Sequence, residues 1–176
     1  RRDGSANLLT LRARDASAPT SALPNGQGSL VRFQGFDGTD FENMGYIQVA
    51  ADGQAVANGD APSFMAFGTS ADGSSSPAER LRIDSSGLVS IKNTGVPTLR
   101  LDNTDTSLVV QTLGSLEFNQ NDPSGTGVGA VCKINAVNES SFQGEAALTF
   151  QTGNASNIVE RMRITSGGEI LIRRTA

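Results

Sequence analysis

Residues 79–91 read Glu-Arg-Leu-Arg-Ile-Asp-Ser-Ser-Gly-Leu-Val-Ser-Ile. Apolar Leu81 and Ile83 alternate with Arg80 and Arg82, which is the period of a β-strand with one buried and one solvated face. The Asp-Ser-Ser-Gly stretch that follows is typical of a tight turn, with Gly87 at a position of positive φ. Four largely apolar residues then form a return strand. The stretch therefore predicts a β-hairpin.

The same pattern recurs 81 residues later. Residues 160–172 read Glu-Arg-Met-Arg-Ile-Thr-Ser-Gly-Gly-Glu-Ile-Leu-Ile, seven of the 13 positions are identical, and Gly168 takes the place of Gly87. Self-similarity at a fixed spacing indicates tandem copies of one structural unit. Shorter matches keep the same order: 10–12 with 98–100, 28–30 with 114–116, 46–49 with 131–134, and 65–69 with 148–152. We therefore expect two repeat units, at residues 1–94 and 95–176.

The rest of each unit also favours strands. Short apolar runs at 8–12, 29–33, 45–49 and 64–67, and their counterparts in the second copy, are separated by polar segments rich in glycine. Their length is ordinary for strands, and no helical stripe with capping residues is present. The sequence predicts an all-β fold of two tandem repeats, each built from short antiparallel strands and hairpins.

The composition indicates that the core is shared between chains. Hydrophobic residues make up 37% of the chain, and large aromatic side chains are few, with eight Phe, one Tyr and no Trp beside 20 Gly. A monomer of this composition buries too little surface to offset its conformational entropy. We therefore expect an intertwined or core-sharing oligomer.

Charge excludes two classes of partner. The chain has 14 basic and 18 acidic residues, a net charge of −4, so it lacks the basic surface that nucleic acid or anionic lipid requires. No apolar run approaches the ~20 residues of a membrane-spanning helix. Because Cys132 is the only cysteine, no intrachain disulfide is possible, and we interpret it as a small buried hydrophobic residue.

Catalytic chemistry is equally restricted. The absence of His excludes His-dependent triads and His-ligated metals, and no phosphate-binding loop motif is present. A glycoside hydrolase needs only two carboxylates, and Asp37, Asp40 and Glu42 form the densest acidic group. These three residues are also the candidates for a calcium site, but loops rich in Asp and Gly are usually turns. We expect no enzyme activity, no catalytic residue, no cofactor and no metal.

The repeated arginines allow two interpretations. Arg80 and Arg82, like Arg161 and Arg163, are expected to project from one strand face, as an anion-binding pair would. Alternatively each arginine pairs with a carboxylate, such as Glu79 or Glu160 of a neighbouring chain, and protects a strand edge from aggregation. The second interpretation is favoured, because a motif present in both units suits architecture better than a unique binding site.

The hairpin of residues 79–91 and 160–172 resembles a motif of long bacteriophage tail fibres and related virion appendages. In that family a Glu-Arg-[Leu/Met]-Arg-Ile segment precedes a Ser/Gly turn and a short apolar strand, often upstream of a C-terminal self-cleaving chaperone domain. The resemblance implies an extracellular structural protein of the virion that forms homotrimers and takes part in attachment to the host. Its partners would be other tail proteins and a host-surface glycan or protein. Any long loop could make the glycan contact, and by composition the loops at 68–77, 119–129 and 137–144 are the most exposed.

Three other functions stay open at this point. The same β-modules occur in capsid-decorating, head-fibre and neck-appendage proteins. A tailspike depolymerase would use a pair of carboxylates, and a cellular adhesin or secreted filament would share the composition. We also expect the chain to be a segment of a longer fibre.

Overall fold

The computed structural model describes residues 9–15, 18, 20–106, 109–124, 128–140 and 144–173. Within these residues it contains ten strands and no helix, so nothing in the described part of the chain forms a helix that could cross a membrane. The all-β prediction is confirmed. The strands are β1 Gly28–Phe36, β2 Phe41–Ala51, β3 Ser63–Thr69, β4 Ala78–Ile83, β5 Val89–Ile91, β6 Thr112–Gln120, β7 Gly129–Asn138, β8 Ala146–Asn154, β9 Asn157–Ile164 and β10 Ile170–Ile172.

The strands form two separate five-stranded antiparallel sheets, ordered β1-β2-β3-β4-β5 and β10-β9-β8-β7-β6. Each strand therefore pairs with its neighbours in sequence, as expected when short polar turns join consecutive strands. The chain divides into two compact units between Leu99 and Arg100. The division at 94/95 stays a prediction. We call the two units unit 1 and unit 2.

Both repeated hairpins have the same turn. In unit 1 the Gly87 N–H donates to the Asp84 carbonyl at 3.0 Å, and the Asp84 N–H donates to the Leu88 carbonyl at 3.1 Å. In unit 2 the Gly168 N–H donates to the Thr165 carbonyl at 3.0 Å. The two glycines have φ of +87° and +85°, a region that residues with a Cβ avoid. The turns are therefore three-residue loops closed by glycine.

Few apolar side chains are buried in either unit. Among the described residues the buried hydrophobic side chains are four alanines and one phenylalanine: Ala50, Ala51, Ala66, Ala147 and Phe64. Large apolar side chains in exposed positions outnumber them several-fold. The predicted shortage of core is thus visible in the single chain. Cys132, expected to be buried, is only half-buried in β7.

Two details of the sequence prediction are wrong. Residues 9–12 form no strand, and residue 8 lies outside the described residues. Leu9 and Leu11 instead line a groove with Val31 and Ile47. Apolar residues therefore occur here because they pack on the sheet, and not because they belong to a paired strand.

The second error is the register of the short repeat matches. Ile47 and Ile134 are equivalent, because each lies opposite the phenylalanine of the next strand. The match of 46–49 with 131–134 is therefore displaced by two residues, and the match between β1 and β6 by one. An alternating run fits registers two residues apart, because the side-chain period is two. The displacement by one in β1 and β6 arose because the identical Gly-Ser-Leu triplets do not occupy equivalent positions.

Candidate functional site

Each repeated hairpin strand contains a β-bulge in the same place. In β4, Leu81 pairs with Phe67 and Glu79 with Gly68, so Arg80 is an extra residue. In β9, Arg161 is extra for the same reason. A bulge shifts the alternation of side chains along a strand. Residues three apart, which face opposite sides in a regular strand, are thereby brought to the same side of the sheet.

The bulge places Glu79 beside Arg82. The Arg82 guanidinium donates two hydrogen bonds to the Glu79 carboxylate, from Nε at 2.8 Å and from Nη2 at 2.6 Å. Lys92 Nζ lies 2.5 Å from the same carboxylate. Asp52, just after β2, approaches Arg82 Nη1 to 4.0 Å and accepts the Ser85 N–H at 2.8 Å. Glu79, Arg82, Asp52 and Lys92 form what we call the arginine cluster of unit 1.

Unit 2 contains an equivalent arginine cluster. Arg163 donates to the Glu160 carboxylate from Nε at 3.2 Å and from Nη2 at 2.8 Å. Glu139, just after β7, accepts from Arg163 Nη1 at 2.8 Å and from the Ser166 N–H at 2.9 Å. Arg173 Nε lies 3.5 Å from Glu160. Four charged positions and one turn serine thus recur with the same contacts.

Burial and pairing shift the pKa values in both clusters. The bidentate hydrogen bond from Arg82 lowers the pKa of Glu79 from 4.5 to about 2, with a further contribution from Lys92. Arg163 lowers the pKa of Glu160 in the same way. The pKa of Glu139 is lowered first by the Ser166 N–H and then by Arg163. All three carboxylates are therefore ionised at neutral pH, and each already accepts donors.

The structure separates the arginines that the sequence predicted to share one face. Arg82 contacts Glu79, whereas Arg80 donates at 3.4 Å to the Thr69 hydroxyl and at 3.4 Å to the Asn93 side chain. Thr69 is two residues from Phe67 along β3, so both lie on the face of the sheet opposite to Arg82. Arg80 and Arg82 therefore do not form the predicted anion-binding pair. That prediction was wrong because it assumed a regular strand without the bulge. The carboxylate partner of Arg82 lies in its own chain.

The opposite face of each sheet is apolar and open. One row of paired residues crosses all five strands of unit 1: Val31, Ile47, Phe67, Leu81 and Ile91. The same row crosses unit 2: Leu116, Ile134, Phe150, Met162 and Ile172. We call these surfaces the apolar faces. The rows contain no polar residue.

Flanking rows extend both apolar faces. In unit 1 a second row crosses four strands, with each residue paired to the next: Val49, Met65, Ile83 and Val89. Met65 is 40% exposed, Ile83 39% and Ile91 41%. Leu11 covers one end of this surface beside Val49, and Leu101 lies against the corresponding end in unit 2. Most of each apolar face is left uncovered by the described residues, and contiguous surfaces of this kind mark interaction sites.

The acidic group predicted from the sequence is also brought together. Asp37, Asp40 and Glu42 can place one oxygen each within 4.8 Å of one another, and all are exposed or half-buried at the β1–β2 turn. Asp37 Oδ1 accepts the N–H groups of Thr39 at 2.7 Å and Asp40 at 2.9 Å, which lowers the pKa of Asp37. The group forms the turn itself, as loops rich in Asp commonly do.

The comparisons with known proteins describe a likeness of fold. No protein-family model matches the chain, and no curated protein is significantly similar to it. Among solved structures, the chain resembles the carboxy-terminal domain of the bacteriophage T5 L-shaped tail fibre with its intramolecular chaperone domain, with a TM-score of 0.49 and 9% identity over 99% of this chain and 61% of that one. A second structure of that domain has a TM-score of 0.48 and 10% identity, over 99% of this chain and 88% of that one. The chain spans about three fifths of the first of these proteins. At this level of similarity, functional conclusions depend on the residues of the chain itself.

Proposed function

We propose that the chain is a structural module of a homotrimeric bacteriophage tail fibre, in which three copies bury their apolar faces against one another. The observation that carries the proposal is the uninterrupted apolar row across all five strands of each sheet. Burial of apolar surface contributes roughly 25 cal/mol per Å². Three copies therefore supply the core that one chain lacks.

A second and third copy of this chain are the occupants that fit these faces best. Both units carry the same two-row apolar surface, so a partner that covers both must itself present two such surfaces. Another copy does so by construction, and symmetric self-association is the commonest mode of protein assembly. The central row of each unit also contains no polar residue that could orient a small ligand.

The arginine clusters support the same architecture. Each cluster ties its hairpin turn to the end of β2 or β7, through Asp52 and Ser85 in unit 1. It also balances the half-buried charges on the face opposite the apolar row. The strands that carry the row are held in one register by this arrangement. Because it occurs in both units, the clusters belong to the framework of the fibre.

We also propose that the chain is not an enzyme. A glycosidase acid needs a raised pKa, whereas hydrogen-bond donors outweigh burial and lower the pKa of Asp37, Asp52, Glu79 and Asp84. The carboxylates with resolved pKa shifts in the described residues are thus stabilised as anions. Release of oligosaccharide from host capsule or lipopolysaccharide incubated with the protein would contradict this part of the proposal.

In the virion we place the module in an extracellular appendage that touches other tail proteins and contributes to host attachment. The decisive experiment is the oligomeric state of the purified chain, measured by sedimentation equilibrium. We expect a mass three times that of the chain at micromolar concentration. A folded, monodisperse monomer would refute the trimer. Detection of the chain by mass spectrometry in purified tails, and not in isolated heads, would then separate a tail fibre from a head fibre.

A further inference from the structure

Unit 1 carries a polar groove on the face opposite its apolar rows. Arg32 of β1 pairs across the sheet with Tyr46 of β2, and Gln48 follows two residues later on the same face. With Asn43 these side chains line a groove of about 300 Å³. In the assembly proposed above the apolar face is the one that is buried, so this groove stays accessible there.

The tyrosine ring is held in place by a glycine. Tyr46 lies opposite Gly68 of β3, and any Cβ at Gly68 would overlap the Tyr46 ring. One side of the ring therefore packs on backbone. The ring is half-buried, and its remaining surface borders the groove. Tyr46 is the only tyrosine of the chain.

The polar groups around the ring have unused hydrogen-bonding capacity. Among the described residues, the side chains of Arg32 and Gln48 make no hydrogen bond or ion pair, and the Asn43 side chain only accepts, from Gln34 Nε2 at 3.1 Å. One guanidinium and two carboxamides thus border the same groove beside an aromatic surface. A few convergent polar groups next to an apolar surface are typical of small-molecule sites.

Unit 2 closes the same place with its own residues. Strand pairing makes Glu117 and Lys133 the equivalents of Arg32 and Tyr46. Lys133 Nζ donates to Glu117 Oε1 at 2.6 Å, so the two charges satisfy each other. The equivalent of Gly68 is Gln151. The two units therefore share their framework but differ at this surface, which indicates that the groove is not part of the repeated architecture.

We propose that the Arg32–Tyr46 groove binds an acidic sugar residue, meaning a saccharide that bears a carboxylate or a phosphate. The free guanidinium supplies the bidentate, charge-assisted contact to the anion. The ring packs against the apolar side of the sugar, and Gln48 and Asn43 hydrogen-bond its hydroxyls. The inference rests on the proposed role in host attachment, because it names the class of surface ligand that the fibre would contact.

The test uses the full chain and three defined probes: tri-galacturonic acid, mannose 6-phosphate and neutral mannose. Binding is measured by titration calorimetry and by shifts in amide NMR resonances. We expect at least one acidic probe to bind about tenfold more tightly than mannose, with shifts at Tyr46 and Gln48. Arg32→Gln should weaken that binding about tenfold or more, since charge-assisted hydrogen bonds are the strong ones.

Lys133→Gln is the matched control, because it removes a cation from the equivalent place in unit 2 and should leave binding unchanged. The two acidic probes decide between carboxylate and phosphate. Equal binding of mannose, no binding of any probe, or unchanged binding by Arg32→Gln would overturn the inference. Sedimentation of the same samples keeps the two proposals apart: a trimer that binds no probe refutes the groove alone, whereas a monomer that binds an acidic probe supports the groove and refutes the fibre assembly.

Discussion

The arginine clusters of the two units reach the same result by different means. In unit 1 the Arg82 guanidinium lies over the Phe64 ring, 3.5 Å from its centroid, and Asp52 stays 4.0 Å away. Strand pairing puts Ala147 at the position of Phe64, and there the longer Glu139 contacts Arg163 directly at 2.8 Å. A ring with a short carboxylate in one unit corresponds to a methyl with a long carboxylate in the other. The charge is what both units retain.

The strands beneath the clusters differ in a similar way. On the face that carries the arginine cluster of unit 1, Ala66 of β3 pairs with Arg82 and is fully buried. The same position in unit 2 is Thr149, also fully buried, which accepts from Asn135 Nδ2 at 3.4 Å. Asn135 in turn accepts from the Ser115 hydroxyl at 2.6 Å. Unit 2 therefore replaces apolar packing by a satisfied polar network, which is acceptable in a core only when every member is paired.

The apolar faces are alike in the two units, so equivalent substitutions in them should have equal effects on assembly. Ile47→Glu and Ile134→Glu each place a carboxylate in the middle of a fully apolar row, and in a trimer three such charges meet. We expect either substitution to weaken assembly at least about 100-fold, because an unpaired charge in a buried interface costs several kcal/mol. Sedimentation equilibrium measures the effect.

Gln48→Glu is the control for Ile47→Glu. It adds the same charge to the same strand one residue further on, but on the opposite face, and should leave the trimer intact. If Ile47→Glu sediments as the wild type does, the apolar face is not the assembly surface. If only one of the two isoleucine positions matters, the equivalence of the units fails.

The glutamates of the clusters separate the two units. Glu79→Gln leaves Arg82 with Asp52 at 4.0 Å, whereas Glu160→Gln leaves Arg163 with Glu139 at 2.8 Å. We expect the free energy of unfolding to fall by about 3 kcal/mol for Glu79→Gln and about 2 kcal/mol for Glu160→Gln, since removal of one partner leaves a half-buried charge less well paired. Urea unfolding at one fixed protein concentration gives both values.

Glu117→Gln supplies the control for the glutamates. It breaks the more exposed pair with Lys133 and should change stability by no more than about 0.5 kcal/mol. A larger loss for Glu160→Gln than for Glu79→Gln would show that Phe64 substitutes for a carboxylate better than the distances indicate.

Much of this framework could be predicted from the sequence. Alternation of Leu81 and Ile83 with arginine predicted the strand, and Gly87 predicted the turn, because both depend on local geometry alone. The repeat predicted two units. The small number of buried apolar side chains followed from the scarcity of large aromatic residues. In each case the information lies within a few residues of the chain or in its overall composition.

The bulge and the cluster could not be predicted in that way. The position of Arg80 as an extra residue depends on where β3 and β4 pair, which is a long-range property. Asp52 and Glu139 lie far from their arginines in sequence and do not occur at matching positions of any quoted motif. One signal was available: Glu79 and Arg82 recur together three residues apart in both units, a spacing that a regular strand would not use for a pair.

Acid should act on both clusters through the glutamates. The folded pKa of Glu79, about 2, lies below its ordinary value of 4.5, so its ionised form stabilises the folded state. That contribution is complete above about pH 5 and is lost as the pH falls towards 2, by about 2 kcal/mol for this partly exposed group. Melting temperature measured from pH 7 to pH 2 should therefore fall chiefly below pH 5.

Glu79→Gln provides the comparison for the acid experiment. The variant has already lost the contribution of this carboxylate, so its melting temperature should start lower and fall less over the same interval. Parallel curves for the variant and the wild type would assign the acid sensitivity to other carboxylates, such as Asp84 at the turn.

The smallest expected effect tests whether the ring and the carboxylate substitute for each other. Phe64→Leu removes the ring under Arg82 but keeps an apolar side chain, and Asp52→Glu gives unit 1 the longer carboxylate of unit 2. We expect Asp52→Glu to change the wild type by no more than about 0.5 kcal/mol and to stabilise the Phe64→Leu variant by about 1 kcal/mol, which is the size of a cation–π contact. Asp60→Glu, an identical change in the exposed loop before β3, should show no such coupling. If the Asp52 cycle also gives no coupling, the ring and the carboxylate act independently. The difference between Phe64 and Asp52 in unit 1 and Ala147 and Glu139 in unit 2 would then reflect how each sheet packs, and not a common requirement to hold the arginine.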